Sequence, residues 1–161
     1  MNFLKEYGSY IIILIIVILL KSYVITPVAV NGDSMFPTLE DNDIMILKKF
    51  DKNIERFDIV VVSYNNKYLI KRVIGLPGEI IKYEDNKLYV NGEYIEEDFL
   101  DKATTADFEL NGKIPQEYYF VMGDNREISY DSRSIGAFSI KKILGKTNYT
   151  LYPFQRIGNK K

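Results

Sequence analysis

The chain begins with apolar positions that show no period. From Tyr10 to Leu20 it reads Tyr-Ile-Ile-Ile-Leu-Ile-Ile-Val-Ile-Leu-Leu. A helix apolar on every side is either deeply buried or in a membrane. The uninterrupted run is shorter than the roughly 20 residues a span needs, but residues 7–26 give about 30 Å at 1.5 Å per residue. Lys21 falls near the end of that window. There its stem can bury while the ammonium reaches the headgroups, avoiding the roughly 3 kcal/mol of a mid-bilayer charge. Tyr7, Tyr10 and Tyr23 fall where interfacial aromatics belong, and Pro27 is expected to end the helix. The pattern predicts a cytoplasmic N-terminus over 1–6 and one transmembrane anchor over 7–26. A cleaved signal peptide and a buried core helix are the competing readings. The first is disfavoured because chemically informative residues begin at Asn31. Lys5 and the terminal amine favour an inside amino terminus, while Lys21 and the tail Lys160-Lys161 weaken that bias.

After Pro27 the pattern changes to short runs of β type, at residues 44–47, 58–63, 68–74, 79–83, 87–90 and 118–122. Turn signals separate them at Asp51-Lys52-Asn53, Asn65-Asn66, Leu76-Pro77-Gly78, Glu84-Asp85-Asn86 and Asn91-Gly92. Residues 87–95 read as a hairpin turning at Asn91-Gly92. No strong amphipathic helix follows the anchor, and residues 96–116, the least patterned, are expected to form a mobile excursion. The prediction is a mainly β fold: one antiparallel, sandwich- or barrel-like domain over 27–161, carried on the N-terminal transmembrane helix.

Composition narrows the chemistry. The 161 residues are 47% hydrophobic and 27% charged, enough for one packed domain plus an anchor. The net charge of −1 gives no basic field for nucleic acid. The chain has no His and no Cys. A Ser-His-Asp triad, an HExxH zinc site, a thiol nucleophile and a disulfide are all excluded. Acid–base chemistry must come from Lys, Tyr, Asp, Glu or the amino terminus. No metal or organic cofactor is implied.

Three segments carry candidate chemistry. In the first, Val30-Asn31-Gly32-Asp33-Ser34-Met35-Phe36-Pro37-Thr38-Leu39, a serine between Gly and Pro sits in a constrained turn. Such a turn can expose its hydroxyl and leave its N–H for an oxyanion; by itself it reads equally as a plain loop. In the second, Lys71-Arg72-Val73-Ile74-Gly75-Leu76-Pro77-Gly78-Glu79, alternation puts Leu69 and Lys71 on one face and Ile70 and Arg72 on the other. One cation must then share a face with a buried apolar residue, unless this is an edge strand with both charges solvated. The third, Gly123-Asp124-Asn125-Arg126-Glu127-Ile128-Ser129-Tyr130-Asp131-Ser132-Arg133, follows an apolar strand. Alone it reads as a surface loop with local ion pairs.

Together, and in this order, the three segments resemble the sequence boxes of the type I signal peptidases, in particular the short single-span bacterial form. Even the tail, Tyr152-Pro153-Phe154-Gln155-Arg156-Ile157-Gly158, is similar to the family's last strand. The resemblance implies a membrane-bound serine endopeptidase that removes signal peptides from secretory preproteins. Ser34 would be the nucleophile and Lys71, held neutral, the general base. Ser129 matches the serine that aims the lysine, and Asp131, Arg133, Asp124 and Arg126 match supporting members of that box. The Ser34 N–H would serve the oxyanion. Where some members carry a second donor serine this chain has Gly32, which leaves the Gly32 backbone or a water for that role. Val30, Met35, Leu39, Leu69 and Ile70 match a shallow substrate pocket for small residues at the first and third positions before the cut. The implied partners are signal peptides and the lipid bilayer, with the secretion translocon a candidate neighbour and no nucleic acid. The implied location is the outer face of the cell membrane. An inactive membrane-anchored binding relative and a soluble repressor-type autoprotease are the rival readings.

Overall fold

The computed structural model describes residues 3–49, 53–100 and 103–160, and within 3–25 the side chains of 7–18. In chain order the elements are α1 (Phe3–Val24), β1 (Ile25–Ala29), β2 (Ile44–Lys48), β3 (Ile59–Tyr64), β4 (Lys67–Gly75), β5 (Ile81–Glu84), β6 (Lys87–Val90), β7 (Glu93–Ile95), β8 (Phe108–Glu109), β9 (Tyr118–Met122), α2 (Ser132–Ile135), β10 (Phe138–Ser139), β11 (Ile143–Tyr152) and β12 (Gly158–Asn159). The larger sheet runs β1-β2-β11-β3-β4-β9-β10, with β12 on β11, and the smaller runs β7-β6-β5-β8. The pairings are antiparallel, so the fold is mainly β.

Alternation along the central strands divides the core. Val60, Val62 and Val73 pack with Val121, Phe138 and Ile143 on one side of the larger sheet. Ile74 points the other way, into a cluster with Ile81, Tyr83, Leu88, Phe120 and Met122 that joins the two sheets. A third cluster, Val30, Met35, Leu39, Met45 and Ile59, lies under the turn after β1. Each is a set of fully or nearly fully buried side chains, the principal source of stability in a fold of this size.

The six expected strands are present with ends moved by one or two residues, and the hairpin turns at Asn91-Gly92 as β6–β7. Four features differ. The helix ends at Val24, and Pro27 lies inside β1 rather than terminating α1. Proline biases the residue before it away from helix and is tolerated on an edge strand, which is what β1 is. The long strand β11 was not among the expected runs. The expected last strand over 152–158 is instead the end of β11, one helical turn at Phe154–Arg156, and β12. Residues 96–116 contain β8, which pairs with β5.

On α1, Ile11 to Ile18 are each 40–59% exposed, so this stretch of the helix is apolar all round and none of its side chains is buried. Among the described residues, no helix is long and apolar enough to cross a membrane. The described side chains of α1 cover residues 7–18, about 18 Å of helix, against a hydrocarbon core of about 30 Å. The expected placements of Lys5, Lys21 and Tyr23 lie outside the described side chains. Met1, Asp51, Lys52 and Lys161 lie outside the described residues.

Candidate active site

Two elements meet at the site. The turn after β1 carries Ser34, and the middle of β4 carries Lys71, opposite Val60 in the ladder with β3. The turn is wound by backbone bonds from Phe36 N–H to Asp33 C=O and from Leu39 N–H to Met35 C=O. This winding drives Met35 and Leu39 into the core and leaves Ser34 half-buried at the surface. Lys71 is 2% exposed, and its Nζ lies 2.5 Å from Ser34 Oγ. Burial pushes the Lys71 ammonium down from 10.5 to about 8, against the pull of the Asp131 and Asp124 carboxylates and helped by Arg133. At pH 7.4 the neutral fraction rises from about 0.1% to about 20%, a gain of roughly 200-fold in competent base.

Both cations of the Lys71-Arg72 pair are buried, although alternation required only one. Arg72 solves its burial by pairing. Its Nε and Nη2 donate to the two carboxylate oxygens of Asp124 at 2.8 and 2.6 Å, and both side chains are fully buried. Nη1 donates to Phe57 C=O, and the guanidinium lies 3.8 Å over the Phe99 ring. Thr38, on the nucleophile turn, donates its hydroxyl to Asp124 at 2.6 Å. One buried ion pair therefore joins β4, the Ser34 turn and the loop after β9.

That loop, residues 123–131, touches the nucleophile directly. Asn125 N–H donates to Ser34 C=O at 3.1 Å. A Cβ on Gly123 would lie 2.3 Å from Ser34 C=O and 2.2 Å from Ser129 Oγ, so no larger residue fits between them. Ser129 Oγ is buried beside Gly123, and the expected hydrogen bond from Ser129 to Lys71 is not formed among the described residues. Asp131 takes two bonds of 2.9 Å from Arg133, accepts the Gly123 N–H at 3.0 Å, and caps α2. Burial works against its charge, yet the Arg133 guanidinium and the Gly123 N–H outweigh it and hold the carboxyl below the usual range. Arg126 is nearly fully buried, against Glu97, Tyr83 and Thr105.

The Ser34 N–H has no acceptor among the described residues, which leaves it free for an oxyanion. Gly32 differs from expectation. Its φ of +83° belongs to the left-handed region, and its N–H donates to Asp41 Oδ1 at 2.7 Å rather than standing open beside Ser34.

A cavity of about 630 Å³ opens over Ser34 and Lys71, lined by Val28, Val30, Met35, Leu69, Ile70 and these two residues among others. Four of the five expected lining residues are there. Leu39 is not: the turn buries it completely beneath the cavity floor. Two strand edges border the space. β1 pairs only with β2, and β4 pairs with β9 only from Arg72 onward, so residues 67–71 keep one edge unpaired among the described residues.

Sequence reasoning passed over Thr38, Phe99, Glu97 and Arg156. Arg156, after β11, donates to Thr38 C=O and to Asp43 at 3.2 and 3.1 Å and pairs with Glu40. It holds the nucleophile turn from 116 residues away in the chain, a distance at which local pattern carries no signal. No group of acidic side chains suited to a metal occurs among the described residues.

The family model described as "Signal peptidase, peptidase S26" matches residues 4–152. Signal peptidase I of Bacillus amyloliquefaciens is 35% identical over 162 residues, covering 92% of this chain and 88% of that protein. Signal peptidase I V of Bacillus subtilis (strain 168) is 41% identical over 152 residues, covering 84% and 90%. The crystal structure of a signal peptidase I from Enterococcus faecalis V583 superposes with a TM-score of 0.54 at 36% identity. It covers 58% of this chain and 95% of that one.

Proposed function

Since the chain belongs to the signal peptidase family, peptidase S26, we propose that Ser34 and Lys71 form the Ser-Lys dyad of a membrane-anchored endopeptidase that cuts signal peptides from secretory preproteins. The observation that carries this reading is the 2.5 Å contact between Ser34 Oγ and a buried Lys71 whose ammonium is pushed down to about 8. The chain has no histidine, and among the described residues Lys71 is the basic side chain hydrogen-bonded to the serine hydroxyl.

Neutral Lys71 takes the Ser34 proton as Oγ attacks the scissile carbonyl, then delivers it to the leaving amine. Water, deprotonated by the same lysine, hydrolyses the acyl-enzyme. The Ser34 N–H stabilises the oxyanion; one such donor is worth about 3–4 kcal/mol. Ser129, whose Oγ makes no bond to Lys71 in this structure, is assigned by the family resemblance alone to orienting the lysine, from the loop that Asp131 and Arg133 brace. The substrate enters as an extended strand between the free edges of β1 and β4. Val30, Met35, Leu69 and Ile70, on the wall of that cavity, are the side chains we assign to selecting small substrate residues.

The exposed apolar surface of α1 supports the anchor reading, since an apolar helix without a protein partner is stable only in lipid. Anchoring puts the groove where signal peptides emerge and raises their effective concentration. The test is cleavage of a preprotein with an Ala-x-Ala site by detergent-solubilised protein, beside Ser34→Ala. A cut after the second Ala that vanishes in the variant is the expected result. A folded protein that makes no cut in the presence of lipid would favour an inactive binding relative.

A further inference from the structure

The described residues of 96–107 take no part in the groove, yet two of their side chains reach both cations that hold the Ser34 loop. Glu97 Oε1 accepts from Arg126 Nη2 at 2.5 Å and from Tyr83 Oη at 2.8 Å. Arg126 in turn donates from Nε to Gly123 C=O at 3.2 Å, and Gly123 is the residue wedged between Ser34 C=O and Ser129. Two residues on, Phe99 covers the Arg72 guanidinium at 3.8 Å, while the edge of that guanidinium clamps Asp124. Asp124 and Arg126 flank Asn125, whose N–H holds the Ser34 carbonyl. The segment is itself stitched down: Asn86 accepts from Thr105 N–H at 2.6 Å, and Phe99 packs edge-on to Phe57 at 5.0 Å.

We infer that Glu97 and Phe99 are positioning residues for the dyad: the excursion is a buttress that fixes residues 123–129, and through them Ser34, in reacting geometry. Glu97 supplies the countercharge of a buried guanidinium whose other oxygen partners among the described residues, Tyr83, Thr105 and the Gly123 carbonyl, are neutral. Without it Arg126 is a buried cation that draws water or moves outward, and Gly123 and Asn125 move with it. Phe99 seals the face of Arg72 from solvent and keeps the Asp124 pair dry. The substrate groove lies on the other side of Ser34 and touches neither residue, so the two act on the chemical step and not on binding.

This inference rests on Ser34 and Lys71 being the dyad. The experiment uses the full chain in detergent with added phospholipid, cleaving the Ala-x-Ala preprotein. Variants are Glu97→Gln, Phe99→Leu and the control Glu84→Gln, with the folded fraction of each fixed by near-ultraviolet circular dichroism. Glu84→Gln removes one charge from the exposed Lys82–Glu84 pair of the smaller sheet, away from the 123–129 loop. Per folded molecule, Glu97→Gln should lose about tenfold or more in kcat with KM within about twofold, and Phe99→Leu should change in the same sense. The control should keep the wild-type kcat. Glu97→Gln above half the wild-type kcat, a loss confined to KM, or an equal loss in Glu84→Gln would each overturn the buttress. If Glu97→Gln does not fold, Phe99→Leu is read by the same criteria. A wild-type protein as inactive as Ser34→Ala would instead remove the dyad reading, and the buttress with it.

Discussion

Lys71→Met should destroy activity and stabilise the protein. The Lys71 ammonium is almost fully buried and its pKa stands at about 8 instead of 10.5. Burial is the leading cause, so the folded state disfavours the charged form. For a lysine, a lowered folded value means that folding expels a proton between the two values. Stability therefore rises with pH through that window and is reduced below it. Two and a half units correspond to a cost of about 3 kcal/mol at pH 7, falling to about 1 kcal/mol at pH 10, where much of the penalty is relieved. Methionine has nearly the same length and carries no charge. Ser34, half-buried at the cavity floor, can bond water in place of the amine. Urea unfolding followed by tyrosine fluorescence should show Lys71→Met more stable by up to about 3 kcal/mol at pH 7, with the gap narrowing to about 1 kcal/mol at pH 10. A variant no more stable than wild type at pH 7, or a gain that does not shrink with pH, would refute desolvation as the device that activates the lysine.

Two other substitutions test the frame around the dyad. Gly123→Ala puts a Cβ within 2.3 Å of Ser34 C=O and should cut kcat by about a hundredfold or more in a folded protein; near-wild-type turnover in a preprotein cleavage assay would mean that the nucleophile turn yields without consequence. Asp124→Asn leaves the fully buried Arg72 without its countercharge and should cost about 3–5 kcal/mol in urea unfolding; a cost under about 1 kcal/mol would show that Phe57 C=O and Phe99 suffice for Arg72.

Ser34 and Lys71 were singled out in the sequence because each sits in a short segment with its own turn or strand signal, and the family resemblance alone suggested pairing them. Ser34 lies in a Gly- and Pro-bounded turn, and Lys71 follows Leu69-Ile70 in a regular alternation. Strands such as β3 and β9 were legible because apolar residues fill their buried positions. β11 was not. Its inward positions include Gly145, Thr147 and Thr150, so its burial alternates while its hydropathy does not. A shift of register between Thr147 and Tyr149 breaks the period further. β1 was hidden for a different reason: Val24 and Ile25 join α1 to β1 with no turn residue between them, so the start of the strand was read as the end of the helix. Leu39 was misplaced because spacing from Ser34 gives its distance along the turn and not the direction in which the turn winds. The partners of Arg126 lie 21, 29 and 43 residues away, on strands and loops that only tertiary packing brings together.

The claim on which all of this depends is that neutral, buried Lys71 is the base for Ser34. It is tested most directly by the pH dependence of kcat/KM for preprotein cleavage between pH 5 and 10. Activity should rise with pH along a single acidic limb centred near 8, the value to which burial lowers Lys71 in the free enzyme. A limb at the ordinary lysine value near 10.5, or a flat profile across that range, would contradict it.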